Sequence, residues 1–518
     1  MSILLWTLSL LLGAVLLAAL ARRINVPSPS LFALGGVIIA LLPNGPRISL
    51  EPDLALALFV APVLMDAAFD NSLRNLRENW LPVTSLVFVA VTVTTSAVAL
   101  VARWLIPAMP WPVAIALGAA VAPPDAAAAT AILKEVRLPR RVVAILEDES
   151  LLNDASALLI YRLAVAAAFA PAGSPIAVLP TLAFVIVGSV AMGAFYAFAY
   201  GDIVSLISDV PSSIVMQFLG AFGIWILADR LELSGVLVVV TAAVILSRRS
   251  GINMPAAVRL PSWAVWEAAV FVLNALAFIM IGLQLGPIMD RLERAHHVHY
   301  AIFAIAILVT VLVARIGWMM FYNVALRIVK LILGERTPQS LTPPRFNRSL
   351  LAAWCGMRGI VTLAAALALP DGSGGTPIFP YRDLIVLTAF AVVLGTLVIQ
   401  GFTLRMLVTK LGLEDDASVE NEIRGARTQV FTAARDSIGS GDSDLAAELR
   451  REYSEMLKQI DGSPEAHQSE ADLRATARNA ARERLHALRL SGAIGEAAFQ
   501  ELQTELDLLE LAEVRSRS

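Results

Sequence analysis

Charged residues and cysteines are both scarce in this chain of 518 residues. Only 16% of the residues are charged, whereas about a quarter are charged in a typical soluble globular protein. The net charge of −3 argues against a nucleic-acid partner. The one cysteine, Cys355, excludes a disulfide within the chain, and we expect it to be a small packing residue.

Two motifs that would couple the chain to ATP or to metal-assisted hydrolysis are also absent. The sequence has no GxxxxGK[ST] run, so ATP-driven transport by a P-loop is unsupported, and it has no HExxH motif. Hydrophobic residues, in contrast, make up 57% of the chain, and apolar runs recur from Ile3 to Val408. Many of these runs approach the ~20 residues that a helix needs to cross a bilayer. We therefore predict an all-α, multi-pass membrane protein.

We predict about thirteen transmembrane helices within a membrane domain over residues 1–412. The first has no basic stretch before it and is longer than the apolar part of a signal peptide, so we interpret it as a span. The predicted spans are 3–20, 31–43, 53–68, 81–106, 111–133, 142–170, 175–200, 212–228, 233–247, 264–286, 299–323, 349–369 and 383–408.

Residues 413–518 differ in composition from the rest of the chain. They are rich in Ala, Glu, Arg and Leu at helical spacing, which predicts a helical cytosolic tail. The mixed charges of this tail indicate a solvated surface, with binding of a regulator or contact in a dimer as the alternative.

The basic residues orient the predicted spans. With the N-terminus outside, sixteen Lys and Arg residues fall on inward connections and six on outward ones. Because the excess of basic residues lies on cytoplasmic loops, we expect an outside N-terminus and a cytoplasmic tail, in the cell membrane.

One predicted span carries a cluster of acids, 146-LEDESLLNDASALL-159. Asp154 would lie about 20 Å along a helix from Arg141, near the middle of a ~30 Å hydrocarbon core. At about 100° per residue, Ser150, Asn153 and Asp154 share one helical face. Ionisable residues at this depth are expensive and point to function.

The other acids of this cluster are expected to have different surroundings. Glu149 lies on the flank of the shared face. Glu147 and Asp148 lie nearer the cytosolic end, where we expect them to reach water, and Asp148 points away from the face. Arg315 and Arg358 are the only deep cations in the predicted spans, and one of them could neutralise Glu149.

Two predicted spans are interrupted. In 117-LGAAVAPPDAAAATAIL-133 two prolines break the helix just before Asp125, and the freed carbonyls and the carboxylate form an oxygen-rich site for a hard cation. The sequence 356-GMRG-359 interrupts the twelfth span in a similar way. Such interruptions in corresponding positions indicate a transporter site, so we predict inverted six-helix repeats formed by spans 1–6 and 8–13.

Three further polar residues fall inside predicted spans: Asp66, Glu267 and Asn274. For Glu267 and Asn274 a structural hydrogen bond is the favoured interpretation. For Asp66 a structural and a functional role are weighed equally.

The paired motifs resemble the monovalent cation/proton antiporter-1 family of bacterial sodium/proton antiporters and sodium/proton exchangers. The resemblance rests first on 122-APPDAAAA-129 and 147-EDESLLNDASAL-158. It extends to 61-APVLMDAAFDNSLRNLREN-79, 266-WEAAVFVLNALAFIMIGL-283, 313-VARIGW-318, 356-GMRGIVTLAAAL-367 and 394-LGTLVIQGFTLRMLV-408. It implies a thirteen-span homodimer with an inverted repeat, in which a core domain moves like an elevator against a dimerisation domain.

The resemblance also implies roles for the polar residues of the two motifs. Asp125 and Asp154 would be the carboxylates that bind the cation or the proton, and with Ser150 they would form the Na⁺ site. Asn153 would brace the unwound fifth span, where Pro124 precedes the first acid.

The remaining implied roles concern charge pairing and the third span. Glu149 would pair with a core arginine, for which Arg315 is favoured and Arg358 is the alternative. Asp66 stands where many members of the family have Glu, which places it beside the cation site.

A physical argument connects these acids to transport. A carboxylate at the membrane midplane is less costly to bury with a bound Na⁺ or a proton than as a bare anion. If only the neutralised forms cross, exchange is obligatory. The neutral Asn153 before Asp154 is similar to the electroneutral members of the family.

We therefore predict secondary active exchange of a monovalent cation for H⁺, with no cofactor and no enzymatic activity. Na⁺ is favoured over Li⁺ and K⁺. An intramembrane protease, a proton-translocating subunit of a larger complex and a gated ion channel are the alternatives.

Overall fold

The computed structural model describes most of the chain in detail. The described residues are 2–42, 51–70, 80–125, 140–169, 178–253 apart from 206 and 208, 256–292, 297–334, 344–372, 377–412 and 418–438, with a few more between 447 and 508. The chain divides into two compact units, Met1–Asp416 and Ala417–Ser518. Every regular element within the described residues is helical, which confirms the predicted all-α class.

Sixteen helices are numbered here in chain order, and two of them contain a π-helical stretch. The helix α3 consists of Pro52–Ala55, the π-helical Leu56–Val60 and Ala61–Asp70, and α4 of Trp80–Thr84, the π-helical Ser85–Ala90 and Val91–Leu105. The others are α1 Ser2–Ile24, α2 Ser28–Leu41, α5 Trp111–Val121, α6 Arg140–Phe169, α7 Val178–Ser205, α8 Val210–Arg230, α9 Gly235–Asn253, α10 Ala256–Leu283, α11 Leu285–Arg291, α12 His297–Leu333, α13 Phe346–Trp354, α14 Ile360–Leu367, α15 Arg382–Leu411 and α16 Ser418–Ser437.

The lengths of the helices bear on the predicted number of spans. Among the described residues, nine helices are long and apolar enough to cross a membrane, and three shorter apolar ones are α2, α5 and the Gly235–Ser247 part of α9. The helices α13 and α14 are the two halves of the twelfth predicted span. The count of thirteen stays a prediction, because the second half of the fifth span, over 126–133, lies outside the described residues.

Local sequence explains where several helices begin and end. The helix α5 starts directly after Pro110 and carries Pro112 in its first turn, where proline is well tolerated because the first helical N–H groups have no partner within the helix. Asp209 caps α8 by accepting a hydrogen bond from the backbone N–H of Ser212 at 3.0 Å. The pKa of Asp209 lies below its usual value, mainly because of a hydrogen bond with the side chain of Ser212 and also because of the one with its backbone.

The helices of the first unit pack in two groups. In one, α10 lies along α2 and α1, and α9 packs against α7, α8 and α3. In the other, α5 and α6 pack against each other and against α4, while α12 packs against α4, α13 and α15. The interrupted helix α14 contacts both groups, through α5 and α15 on one side and α3 and α10 on the other.

Candidate functional site

The first interruption leaves backbone carbonyl oxygens without helical N–H donors beside an acid. The helix α5 ends at Val121, and neither Pro123 nor Pro124 has an N–H with which to continue it. The carbonyl oxygen of Pro124 instead accepts a hydrogen bond from the side-chain amide of Asn153 on α6, at 3.4 Å. Asp125 follows at once, so the acid stands at the end of a broken helix.

The two interruptions lie against each other. The backbone N–H of Asp125 donates to the carbonyl oxygen of Met357 at 2.7 Å. Met357 belongs to the extended stretch between α13 and α14, where the backbone has no helical partners. One N–H and one carbonyl oxygen that would be costly to bury unpaired at membrane depth therefore satisfy each other.

Arg358 binds the exposed end of α5. Its side chain is completely buried, and its guanidinium donates to the carbonyl oxygens of Val121 and Ala122, at 3.1 Å each, and to that of Gly356. Its backbone N–H donates to the hydroxyl of Thr396 at 3.0 Å. A permanent cation thus lies at the C-terminal, negative end of the α5 dipole.

Arg315 on α12 pairs with Glu149 on α6. Two hydrogen bonds join the guanidinium and the carboxylate, at 2.6 Å and 2.8 Å, and the side chains are 4% and 1% exposed. Arg315 also donates to the carbonyl oxygens of Ala353 at 3.2 Å and Ala352 at 3.4 Å, at the end of α13. Of the two arginines considered from the sequence, Arg315 is therefore the one bound to Glu149. The contacts of Arg358 within the described residues go to carbonyl oxygens and to Thr396.

Two glycines in the second interruption allow this packing. A Cβ atom at Gly359 would overlap the carboxylate of Asp125, and a Cβ atom at Gly356 would overlap the guanidinium of Arg315. From the sequence, 356-GMRG-359 was interpreted as a helix break that carries the deep cation Arg358. The close packing could also have been predicted, because two glycines that flank a deep arginine indicate close approach by neighbouring groups.

Asp125 and Asp154 line one small cavity. Asn274 on α10 lines the same cavity, and its other walls are hydrophobic side chains of α3, α10 and α14. Asp154 is 4% exposed and experiences the negative charge of Asp125. A cation between the two carboxylates would remove this repulsion, and a proton on either would do the same.

Asn153 and Ser150 are on α6 near Asp154, but they do not line the cavity. Asn153 is fully buried, and its side-chain oxygen has no hydrogen-bond partner among the described residues. The hydroxyl of Ser150 is likewise buried without a partner in the described part of the chain. Two oxygens that could serve as ligands are therefore available beside Asp154.

The comparisons with known proteins identify the family. The model of the transmembrane sodium/hydrogen exchangers matches residues 8–410. This chain belongs to the sodium/hydrogen exchanger family. The resemblance proposed from the sequence is thereby confirmed.

Individual members of the family agree with this assignment. An uncharacterized Na⁺/H⁺ exchanger of Mycobacterium tuberculosis is 29% identical, over 97% of this chain and 95% of the relative. A sodium, potassium, lithium and rubidium/H⁺ antiporter of Bacillus pumilus is 28% identical, over 85% of this chain and 67% of its own length. The sodium/proton antiporter MjNhaP1 of Methanocaldococcus jannaschii shares the fold, with a TM-score of 0.58 at 18% identity, over 79% of this chain and 99% of that one.

Three acids that were singled out from the sequence lie outside the cavity. Asp66 is half-buried on α3, one turn after Val63, which lines the cavity, so its role in the site stays a prediction. Glu267 is exposed on α10.

The expectation that Asp148 reaches water is wrong, because its side chain is only 2% exposed. Helical phase gives the direction of a side chain but not its neighbours, and α6 contacts α3, α4, α5, α9 and α13.

A third arginine, which was not predicted from the sequence to have a role, binds the end of a helix. Arg382 donates to the carbonyl oxygens of Leu369 at 2.8 Å and Leu367 at 3.0 Å, at the end of α14. The hydroxyl of Tyr161 on α6 donates to the carbonyl oxygen of Ala365 at 2.6 Å. The second half of the broken span is thus fixed at its C-terminal end to α6 and α15.

Proposed function

We propose that this protein exchanges a monovalent cation for H⁺ across the cell membrane, one for one, with both ions competing for Asp125 and Asp154. Na⁺ is the favoured cation, and Li⁺ and K⁺ are further substrates to test. The observation that carries the proposal is the shared cavity, in which two carboxylates face an otherwise mainly hydrophobic wall. Family membership supports the same reaction class, transport without enzymatic chemistry.

The chemistry of the cavity favours obligatory exchange. Two carboxylates in mainly hydrophobic surroundings repel each other, so the empty, doubly charged site is the costly state. Binding a cation or a proton lowers that cost. If the helix groups rearrange only when the site is neutralised, the empty site cannot change sides. Each cation that crosses must then be exchanged for a proton that crosses in the other direction.

The neighbouring residues support a one-for-one ratio. Glu149 is held by Arg315, so it is not free to carry a second proton. The residue before Asp154 is the neutral Asn153, whose amide binds the carbonyl oxygen of Pro124. In this proposal Ser150 turns its hydroxyl to the cation.

The wider architecture completes the proposal. The unit Met1–Asp416 is the transport domain, with its N-terminus outside, and it works as a homodimer in contact with membrane lipid. The unit Ala417–Ser518 is a cytoplasmic tail with a solvated surface of mixed charge, and binding of a regulator is the alternative role. The distribution of basic residues supports this orientation.

Reconstitution into liposomes tests the function. A pH-sensitive dye inside the vesicles would report proton movement when Na⁺, Li⁺ or K⁺ is added outside. We expect alkalinisation or acidification to follow the cation gradient and to be unaffected by an imposed membrane potential. Proton movement that appears without a cation gradient, or none in the intact protein, would contradict the proposal.

A further inference from the structure

We propose that Asn274 is a specificity-determining residue, whose side-chain oxygen binds the transported cation together with Asp125 and Asp154. The inference rests on the proposed exchange at the aspartate pair. Asn274 lies on α10 and lines the cavity that holds both carboxylates. It was expected from the sequence to make a structural hydrogen bond.

The described surroundings of Asn274 do not supply that hydrogen bond. Its side chain is half-buried, and within the described residues it has no hydrogen-bond partner. The other cavity walls besides the two acids are hydrophobic. An amide that lacks a partner in mainly hydrophobic surroundings is costly, and a ligand that enters the cavity would satisfy it.

A second amide in the same helix group shows what a structural role looks like. Gln217 on α8 donates to the hydroxyl of Ser262 at 3.2 Å and accepts from the indole N–H of Trp266 at 2.8 Å. Both ends of that side chain are satisfied by α10. Asn274, on the same helix as those partners, instead faces the aspartates across the cavity.

The chemistry of an amide oxygen suits the cation and not the proton. Carbonyl oxygens are hard ligands of the kind preferred by small, hard cations. An amide is neutral and does not take up a proton at physiological pH. Asn274 therefore strengthens cation binding while leaving proton binding at the carboxylates largely as it is, which shifts the competition toward the cation.

The position of Asn274 adds a consequence for transport. Asp154 lies on α6 and Asp125 follows the end of α5, both in one packing group, whereas α10 packs along α2 and α1 in the other. The cation would thus be held between the two groups in this arrangement. A relative movement of the groups would remove the amide ligand and weaken the binding of the cation.

Kinetics in liposomes provide the test. The variants are Asn274→Leu, which keeps the size of the side chain and removes its polar atoms, Asn274→Ala as a second truncation, and Gln217→Leu as a matched control. The apparent KM and the maximal rate are measured for Na⁺, Li⁺ and K⁺ at several pH values. The thermal unfolding of each purified variant is followed in parallel.

We expect Asn274→Leu to raise the apparent KM for Na⁺ about tenfold, the effect of losing one good ligand. The maximal rate should stay within about twofold, and the acid limb of the pH profile at fixed Na⁺ should move to higher pH, since only cation binding is weakened. Gln217→Leu should lower the unfolding temperature and leave the KM unchanged.

The possible outcomes separate this inference from the proposed function. If the unmodified protein shows no cation-driven proton movement, the proposed function fails. If it exchanges ions and both Asn274 variants keep its KM for all three cations, only the role of Asn274 is refuted. Loss of folding in both Asn274 variants, with Gln217→Leu folded, would assign Asn274 a structural role and would also refute the inference.

Discussion

Glu149 and Asp154 lie little more than one turn apart on α6, and both are buried, yet their charges are compensated in different ways. Glu149 forms two hydrogen bonds with Arg315, and that arginine also binds the end of α13. Asp154 shares a cavity with a second acid, Asp125. We call these regions the ion-pair region and the acid-pair region.

In the proposed mechanism, one helix separates stability from transport. A buried pair of opposite charges with good geometry is satisfied and has no need of a ligand, although breaking it is costly. A pair of like charges in a cavity repels until an ion arrives to neutralise it. The ion-pair region should therefore respond to substitution in folding, and the acid-pair region in transport.

The largest effect is expected from Asp154→Asn in the acid-pair region. The amide can neither take up the proton nor balance the charge of the cation, so exchange should fall below about 1% of the unmodified rate. The unfolding temperature should be unchanged or higher, because the repulsion from Asp125 is removed. Proteoliposome flux and thermal unfolding measure the two effects.

Asp148→Asn is the matched control for that substitution. Asp148 is also a buried acid of α6, but it does not line the cavity. Its variant should retain exchange. Normal exchange by Asp154→Asn, or equal loss in both variants, would contradict the special role of the acid-pair region.

The next effect is expected from Glu149→Ala in the ion-pair region. It leaves Arg315 buried without its partner, which should lower the free energy of unfolding by about 3–5 kcal/mol. The apparent KM for the cation should change little in the protein that remains folded. Unfolding in detergent, followed by the binding of a thiol dye to Cys355, would measure the loss.

A double variant separates the ion pair from other contacts of Glu149. Glu149→Leu combined with Arg315→Met replaces both charges by hydrophobic groups, and it should recover part of the lost stability. Stability as low as in Glu149→Ala would mean that the contacts of Arg315 with Ala352 and Ala353 matter more than the ion pair.

A smaller effect is expected when one methyl group is added to each glycine of the second interruption. Gly359→Ala presses on Asp125 and should mainly reduce exchange, whereas Gly356→Ala presses on Arg315 and should mainly reduce stability. Overpacking of this kind costs about 1–3 kcal/mol. Flux and unfolding measured on both variants check the contrast, and the same pattern in both would break it.

A similar or smaller effect is expected from Arg382→Met. The substitution leaves the C-terminal carbonyls of α14 without their cation, which should cost about 1–2 kcal/mol of unfolding free energy. Arg382→Lys should restore part of this loss, since it keeps the charge. If both variants unfold like the unmodified protein, the contacts with Leu367 and Leu369 contribute no stability.

The smallest perturbation is a change of solution conditions. Protons occupy the acid-pair region as the pH falls, so low pH should inhibit exchange, and added Na⁺ should oppose this inhibition. For one-for-one competition, a tenfold rise in Na⁺ should move the acid limb of the pH profile down by about one unit. Flux at several Na⁺ concentrations measures the shift, and an acid limb independent of Na⁺ would exclude competition at one site.

The candidate site could be predicted in part because some of its signals are local. The prolines before Asp125 break a helix wherever they stand, and helical phase places Asn153 and Asp154 on neighbouring positions of one face. The structure brings Asp125 and Asp154 to one cavity and Asn153 to the carbonyl of Pro124. The environment of Asp148 was mistaken, because phase along one helix does not reveal which helices surround it.

The sequence by itself determined the all-helical membrane fold and the position of the helix breaks along the chain. Long apolar runs, prolines and glycines act on the backbone next to them, so their effect can be deduced without knowing the neighbours. The same holds for the concentration of acids on α6.

Only the tertiary structure decided which charges meet. Arg315 binds Glu149 and Arg358 binds the end of α5, although the two arginines were alternatives in the sequence. The tertiary structure also decided that Asn274 shares a cavity with the two acids, because this depends on how α10 packs across from α5 and α6. These partners are far apart in the chain, and their contacts follow from the packing of whole helices, which no local pattern specifies.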